Sequence, residues 1–463
     1  MLTRFEVSGF KNLKDVVVDF GPFTCIAGPN GVGKSNLFDA IHLLSRLAQY
    51  SFSDAFRGIR ETPRQRGTVR STLPPEVLSG DENLRLAAEM ILRPTARTSN
   101  GETKLSNTYV RYELELSVQT KGDASLRLAL VNESLKTLPA QGACLWQCSE
   151  VRDYLVGEAE QDVISTGDVQ DNDDGRGTKI VSVEFDEPVR LLSRDFGGIA
   201  AGLVCERDRT SLVDMSFYSA VVQAVREELA SWRFLSLEPA AIRVSDDIDE
   251  TDPITSQGGH LPSFLRREEL HRGQVVYQQL QDTVADLVDL RAVSVTSGGG
   301  YLELHAKVGE GPEVPARSLS DGTLRFLALG VLDIGETSVG LLGIEEPENG
   351  IHPGKIAALV ELLRSLAEPR DGFLRQVIVN THSPYLVQQI ERSNPGDLLV
   401  ARSMTGIGPQ DSFRSLVTFQ PLPNTWRADG WKEGRGVRPV PRGEIAAYLE
   451  NPMGWERGDN HDE

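Results

Sequence analysis

The sequence predicts an α/β protein. Its core is assembled from both ends of the chain, with a middle insertion of mixed strands and helices and no long coiled coil. Three observations carry this reading. A strand, a glycine-rich loop and an amphipathic helix follow one another in the first fifty residues. From Ser318 onward apolar strands alternate with helices, the pattern of a mainly parallel sheet. Between these stretches there is neither an internal repeat nor a sustained heptad array.

The elements follow in order. Thr3–Ser8 alternates as a half-buried strand does, and Val16–Phe20 and Phe23–Ala27 read as two further short strands separated by Gly21 and Pro22. Beyond the glycine loop, Leu37, Ile41, Leu44 and Leu47 recur at spacings of three and four, which predicts a helix over Lys34–Gln49. Phe56–Thr72 is polar and carries Arg57, Arg60, Arg64, Arg66 and Arg70. Strand-like runs occupy Leu84–Leu92, Tyr109–Val118 and Ser125–Val131, and Gly167–Gly177 reads as a mobile acidic loop. Helices are expected over Ser216–Trp232 and Arg272–Leu290. LSDGTLRFLALGVL then gives a loop and helix, VGLLGIEE a buried strand, Pro353–Leu366 a helix, and QVIVNTHS a strand before a short helix. This divides the chain into 1–55 and 311–405 as core halves, 56–310 as the insertion and 406–463 as an appendage.

Composition narrows the function. The 463 residues carry 48 Lys+Arg against 67 Asp+Glu, a net charge of −19. That charge argues against a protein coated in DNA, though a local basic groove stays open. The 40% apolar content suits a large folded core. No apolar run approaches the ~18–20 residues that span a bilayer, and MLTRFEVSGFKNL lacks a signal-peptide pattern. With only 4 Cys, and Cys144 and Cys148 lacking a second ligand pair, neither a disulfide scaffold nor a zinc site is expected. A cytoplasmic protein without a membrane partner follows.

Gly28–Ser35 reads GPNGVGKS and fits G-x4-G-K-[ST]. The glycines let backbone N–H groups converge on phosphates at a helix N-terminus. Lys34 would reach the β- and γ-phosphates and the Ser35 hydroxyl would ligate Mg²⁺; Asn30, Gly31, Gly33 and Asn36 complete the loop. LLGIEEP ends a buried strand in two acids. Glu345 is assigned to Mg²⁺ and Glu346 to positioning or deprotonating the attacking water. LSDGT opens an apolar helix, where Ser320 and the backbone around Gly322 cap the helix and could also bind phosphate. PENGIH forms a tight turn, and His382 lies just past a buried strand, at the sheet edge where ligands bind. An ordinary helix start and a structural histidine are the plain alternatives for the last two.

GPNGVGKS, LSDGT, LLGIEEPENG and THS, in that order, resemble the ABC-type ATPase core shared by SMC, RecF and OLD proteins. LSDGT resembles the signature LSGGQ, PENG the D-loop and His382 the switch histidine, and FEVSGFKNLKDVVVDFGPFTCIAGPNGVGKSNLFDAI resembles the RecF/SMC opening. The resemblance covers about the first 50 residues and roughly Ala316–Val400. It implies a P-loop NTPase fold using ATP and Mg²⁺. It also implies a homo-oligomer in which one copy's phosphate loop meets Ser320 and Gly322 of another, His382 contacts the γ-phosphate and Asn349 bridges the copies. The sequence departs from the family in three ways. Glu345 replaces the usual Asp, no Q-loop glutamine can be placed, and the 81 residues after His382 are too few for the TOPRIM nuclease of OLD enzymes. The chain is therefore expected to be a stand-alone ATPase subunit, similar to those of Septu- and PARIS-type antiphage systems, controlling a separate effector nuclease. Two alternatives are a RecF-like repair ATPase contacting DNA through the Arg57–Arg70 run, and a nucleotide-gated scaffold with little hydrolysis. Trp426 and Trp431, in a polar segment, suit either a partner interface or docking onto their own domain.

Overall fold

A computed structural model describes residues 1–59, 67–98, 101–120, 126–140, 149–152, 154–157, 161–166, 178–181, 189–192, 203–205, 208–215, 219–335, 339–370, 373–407, 413–432, 437–441 and 443. The chain divides into two compact units. The first comprises Met1–Gly21, Asn30–Trp232 and Val400–Val440, and the second Pro22–Pro29, Arg233–Leu399 and Pro441–Glu463.

The second unit holds parallel strands in the order Arg233–Leu235, Leu341–Glu345, Gln376–Thr381, Phe23–Ala27. Strands from both chain ends thus share one sheet. Every residue of Phe23–Ala27 and Gln376–Thr381 is buried, as parallel strands covered on both faces require. The helix Ile356–Ser365 connects two of these strands and buries Ile356, Leu359, Val360 and Leu363, an apolar stripe at helical spacing. The helices Asp321–Gly335 and Pro384–Ser393 belong to the same unit. It also carries an antiparallel pair, Leu290–Gly298 with Tyr301–Val308. Gly299 and Gly300 join this pair with φ of 61° and 88°, the left-handed backbone of a two-residue hairpin turn.

Among the described residues, the first unit is built on a nine-stranded sheet. Its central strands are Leu126–Thr137, Tyr109–Thr120, Leu84–Ile91 and Leu2–Ser8, paired antiparallel. Phe5, Val7, Leu86, Tyr112 and Leu114 are buried along one set of alternating positions. The other set carries charge. Arg111 bonds Glu6 (2.7 Å), Glu89 (3.0 Å) and Glu113 (2.5 Å), and Arg4 bonds Asp19 (3.0 Å). Burial alone would raise the Glu6 carboxyl, but the hydrogen bonds from Arg111 and Arg4 overcome it and hold the group at about 2. The helices Lys34–Leu47 and Ala220–Ala230 pack in this unit, where the Ser45 hydroxyl donates to Leu229 O at 2.6 Å.

Several element bounds differ from the sequence reading. The helix expected over Arg272–Leu290 is shorter, Val275–Thr283; Arg272 ends a separate helix, Leu261–Arg272, and Leu290 already starts a strand. Gly273, at φ 74°, breaks the run where a side chain would be strained. The strand expected over Ser125–Val131 extends through Leu126–Thr137, because its neighbour Tyr109–Thr120 continues the ladder. Trp426–Lys432 is a helix. Arg427 on it is buried and donates to Asp19 O at 2.9 Å, so this segment docks on its own unit while Trp431 stays exposed. Among the described residues the longest helix has 15 residues, Asp321–Gly335, and none is long and apolar enough to cross a membrane. The Gly167–Gly177 loop, Cys144, Cys148, Arg60, Arg64, Arg66 and the end of the chain through Glu463 lie outside the described residues.

Candidate active site

The glycine loop leaves the strand Phe23–Ala27, and Gly28 N–H donates to Thr381 O at 3.3 Å. Gly31 and Gly33 have φ of 77° and 122°, conformations that L side chains rarely adopt. Asn30 and Gly31 form the exposed tip, Lys34 is buried, and Ser35 and Asn36 are half-buried. The helix Lys34–Leu47 starts at Gly33 with no side-chain cap and no acid in its first turn. An anion at this end meets the helix dipole with no carboxylate in the helix's own first turn to compete.

A brace supports the loop from within the first unit. Asn12 Nδ2 donates to Val32 O (3.0 Å), and Asn36 Nδ2 donates to Asn12 Oδ1 (2.7 Å). A Cβ on Gly33 would sit 2.7 Å from Asn12 Nδ2 and would carry the strain of φ 122°, so a side chain here would displace the brace. Lys11 pairs with Asp39 on the helix at 2.5 Å. Motif spacing does not reveal Asn12, which lies in a turn twenty residues before its partner Val32.

In the second unit the acids and the histidine converge. Glu345 pairs in register with Asn380, and Thr381 with Ala27, so three parallel strands end together. Glu346 follows with φ 45°, a strained conformation for a non-glycine residue. Its N–H is held by Asn380 O and Oδ1, both at 3.1 Å. Asn349 Nδ2 donates to Glu346 Oε2 at 2.6 Å, and His382 Nδ1 lies 2.9 Å from Oε1. Glu346, Asn349 and His382, singled out separately from the sequence, therefore form one hydrogen-bonded group. Glu348 joins them unforeseen. It is 7% exposed, and Thr381 Oγ1 donates to its carboxylate. Burial pushes the Glu348 carboxyl up, and the Thr381 bond offsets part of this. The last acid of EEPE was its signal in the sequence.

The LSDGT loop caps its helix as expected, with Thr323 N–H donating to Ser320 Oγ at 3.2 Å. Ser320 is exposed, and a Cβ on Gly322 would lie 3.2 Å from Gly350 O, so this loop abuts the turn that carries Asn349. Residues 30–36 belong to the first unit, whereas Ser320, Gly322, Glu345, Glu346, Asn349 and His382 belong to the second. The donor sets suit the expected ligands. Left-handed glycines and an uncapped helix start fit a polyphosphate, and the Ser35 hydroxyl in the first unit and the Glu345 carboxylate in the second are each a hard oxygen donor of the kind that Mg²⁺ takes.

Residues 123–388 match the family described as AAA domain, putative AbiEii toxin, Type IV TA system, and residues 1–83 match the RecF/RecN/SMC N terminal domain. An OLD nuclease from Thermus scotoductus is 46% identical over 44 residues, which are 10% of this chain and 8% of that protein. The SMC head domain from Thermotoga maritima is similar at 13% identity and a TM-score of 0.36, over 91% of this chain and 98% of that one. An SmcHead bound to the C-winged helix domain of ScpA gives 13% identity and a TM-score of 0.41, again over 91% and 98%.

Proposed function

The chain belongs to the family described as AAA domain, putative AbiEii toxin, Type IV TA system, and from that premise we propose that it binds and hydrolyses ATP between two copies of itself. The observation that carries the proposal is the Glu346 carboxylate, set between His382 and Asn349 at the sheet edge where the glycine loop begins. Glu346 accepts the proton of the attacking water. Asn349 and His382 fix the plane of its carboxylate, and the strained backbone aims it. Lys34 and the loop N–H groups bind the β- and γ-phosphates, and Ser320 and Gly322 of the second copy close over the nucleotide. Mg²⁺, for which Ser35 and Glu345 are the candidate oxygen donors, would supply charge neutralisation at the phosphates.

The reading extends to a partner. The ATPase would hold or restrain a separately encoded effector nuclease in antiphage defence, with ATP-dependent pairing as the control. Support comes from the family and from the short OLD nuclease match, and function is not inherited from fold alone. The test is the mass of the complex purified from its native operon, with and without ATP, beside Lys34→Ala. A co-purifying small protein with nuclease activity is the expected result. A chain that emerges alone, pairs only with ATP and shifts duplex DNA would replace this reading with that of a RecF-like repair ATPase.

A further inference from the structure

Arg243 follows the short helical turn Pro239–Ile242, and its Nη2 reaches the LSDGT loop. It donates to Asp321 Oδ1 at 2.5 Å and to Leu319 O at 3.1 Å. Asp321 stands where the resembling signature has glycine, and its side chain is 60% exposed against 30% for Arg243. A carboxylate in an anion-binding loop repels the phosphate that the loop is meant to hold. The loop works only if that charge is matched, and the matching cation is a guanidinium already in contact with it. Nη2 alone makes both bonds, and among the described residues none engages Nη1 or Nε. An arginine presents five N–H donors in a fixed fork, enough to hold the loop and a phosphate together, which a lysine cannot do.

We propose that Arg243 is a nucleotide-binding residue acting in trans: it neutralises Asp321 and presents its remaining donors to the phosphates bound by a second copy's glycine loop. This rests on the two-copy reading above, and the test separates the two. Lys34→Ala disables a chain's own loop and spares its Arg243. Arg243→Gln removes the charge and keeps an amide donor for Leu319 O. Each variant alone is expected to hydrolyse ATP at under about a tenth of the wild-type rate. Mixed in equal amounts they recover to about a quarter, because half the pairs are mixed and each mixed pair holds one intact site. The control mixture is Lys34→Ala with Ser320→Ala. If the control recovers and the Arg243 mixture does not, the trans role falls and the two-copy reading stands. If neither recovers, the two-copy reading falls and takes the proposal with it. Full activity of Arg243→Gln alone also overturns the proposal. The thermal unfolding midpoint of Arg243→Gln without nucleotide, expected to match the wild type, shows that its fold is intact. If the midpoint falls, Arg243→Lys, which keeps the charge and not the fork, replaces it in the same mixture.

Discussion

Two regions of this protein concentrate charged, hydrogen-bonded side chains, and they differ in geometry. On the nine-stranded sheet, Arg4, Glu6, Glu89, Arg111 and Glu113 form a ladder across neighbouring antiparallel strands, each charge in contact with an opposite one. At the end of the parallel strands, Glu346, Glu348, Asn349 and His382 crowd together on tight turns, with Glu346 in a left-handed conformation. The ladder pairs its charges without strain and has a structural role. The strand-end group keeps carboxylates together with few cations and strains the backbone to do so, as sites selected for chemistry do.

Substitutions should separate the two regions. Glu346→Gln is expected to lower turnover about 10²–10⁴-fold while ATP binding persists, measured by phosphate release beside equilibrium binding. Loss of binding in parallel would move Glu346 from chemistry to structure. Asn12→Ala, which unbraces the glycine loop, should weaken ATP affinity about tenfold with turnover at saturation little changed. Arg111→Ala should do the reverse. It leaves three carboxylates facing one another on a partly exposed face, which costs about 1–2 kcal/mol in denaturant unfolding and leaves hydrolysis per folded molecule intact. A loss of hydrolysis there would erase the contrast between the regions.

A further contrast is a pH dependence. Burial and the nearby Arg46 hold His42, on the glycine-loop helix, at about 4, below its ordinary 6.5. The folded state therefore favours neutral imidazole. The stability this provides is complete above pH 6.5 and is lost as pH falls through about 4. The melting temperature should decline over that window, and His42→Gln should flatten the decline. Glu6, held at about 2, adds a second loss below its ordinary 4.5 that His42→Gln leaves in place.

The same contrast explains what was legible in the sequence. GPNGVGKS and LLGIEE declare themselves because their chemistry is local: glycines at fixed offsets, and an apolar run ending in acids. Ser320 was legible as a helix cap for the same reason. Asn12, Asn380 and Arg243 were not, since each acts on a partner distant in sequence but adjacent in space. Arg243 lies 76 residues from Leu319, whose carbonyl it holds. The strain at Glu346 is likewise invisible in a string of letters, as is the bond from its N–H to Asn380, 34 residues away. Alternation in Tyr109–Val118 marked a half-buried strand but could not name its neighbours, because ladder hydrogen bonds join segments far apart in the chain. Gly273 could have signalled the helix break, had its position been weighed above the apolar spacing on either side.

The most direct measurement is the mass of Glu346→Gln in solution with ATP and Mg²⁺, beside Lys34→Ala. If Glu346 drives hydrolysis and ATP joins two copies, Glu346→Gln accumulates as a pair retaining unhydrolysed ATP, and Lys34→Ala gains no ATP-dependent mass. If Glu346→Gln binds ATP without any gain in mass, or still hydrolyses it at the wild-type rate, the strand-end group is not the catalytic centre of a two-copy ATPase.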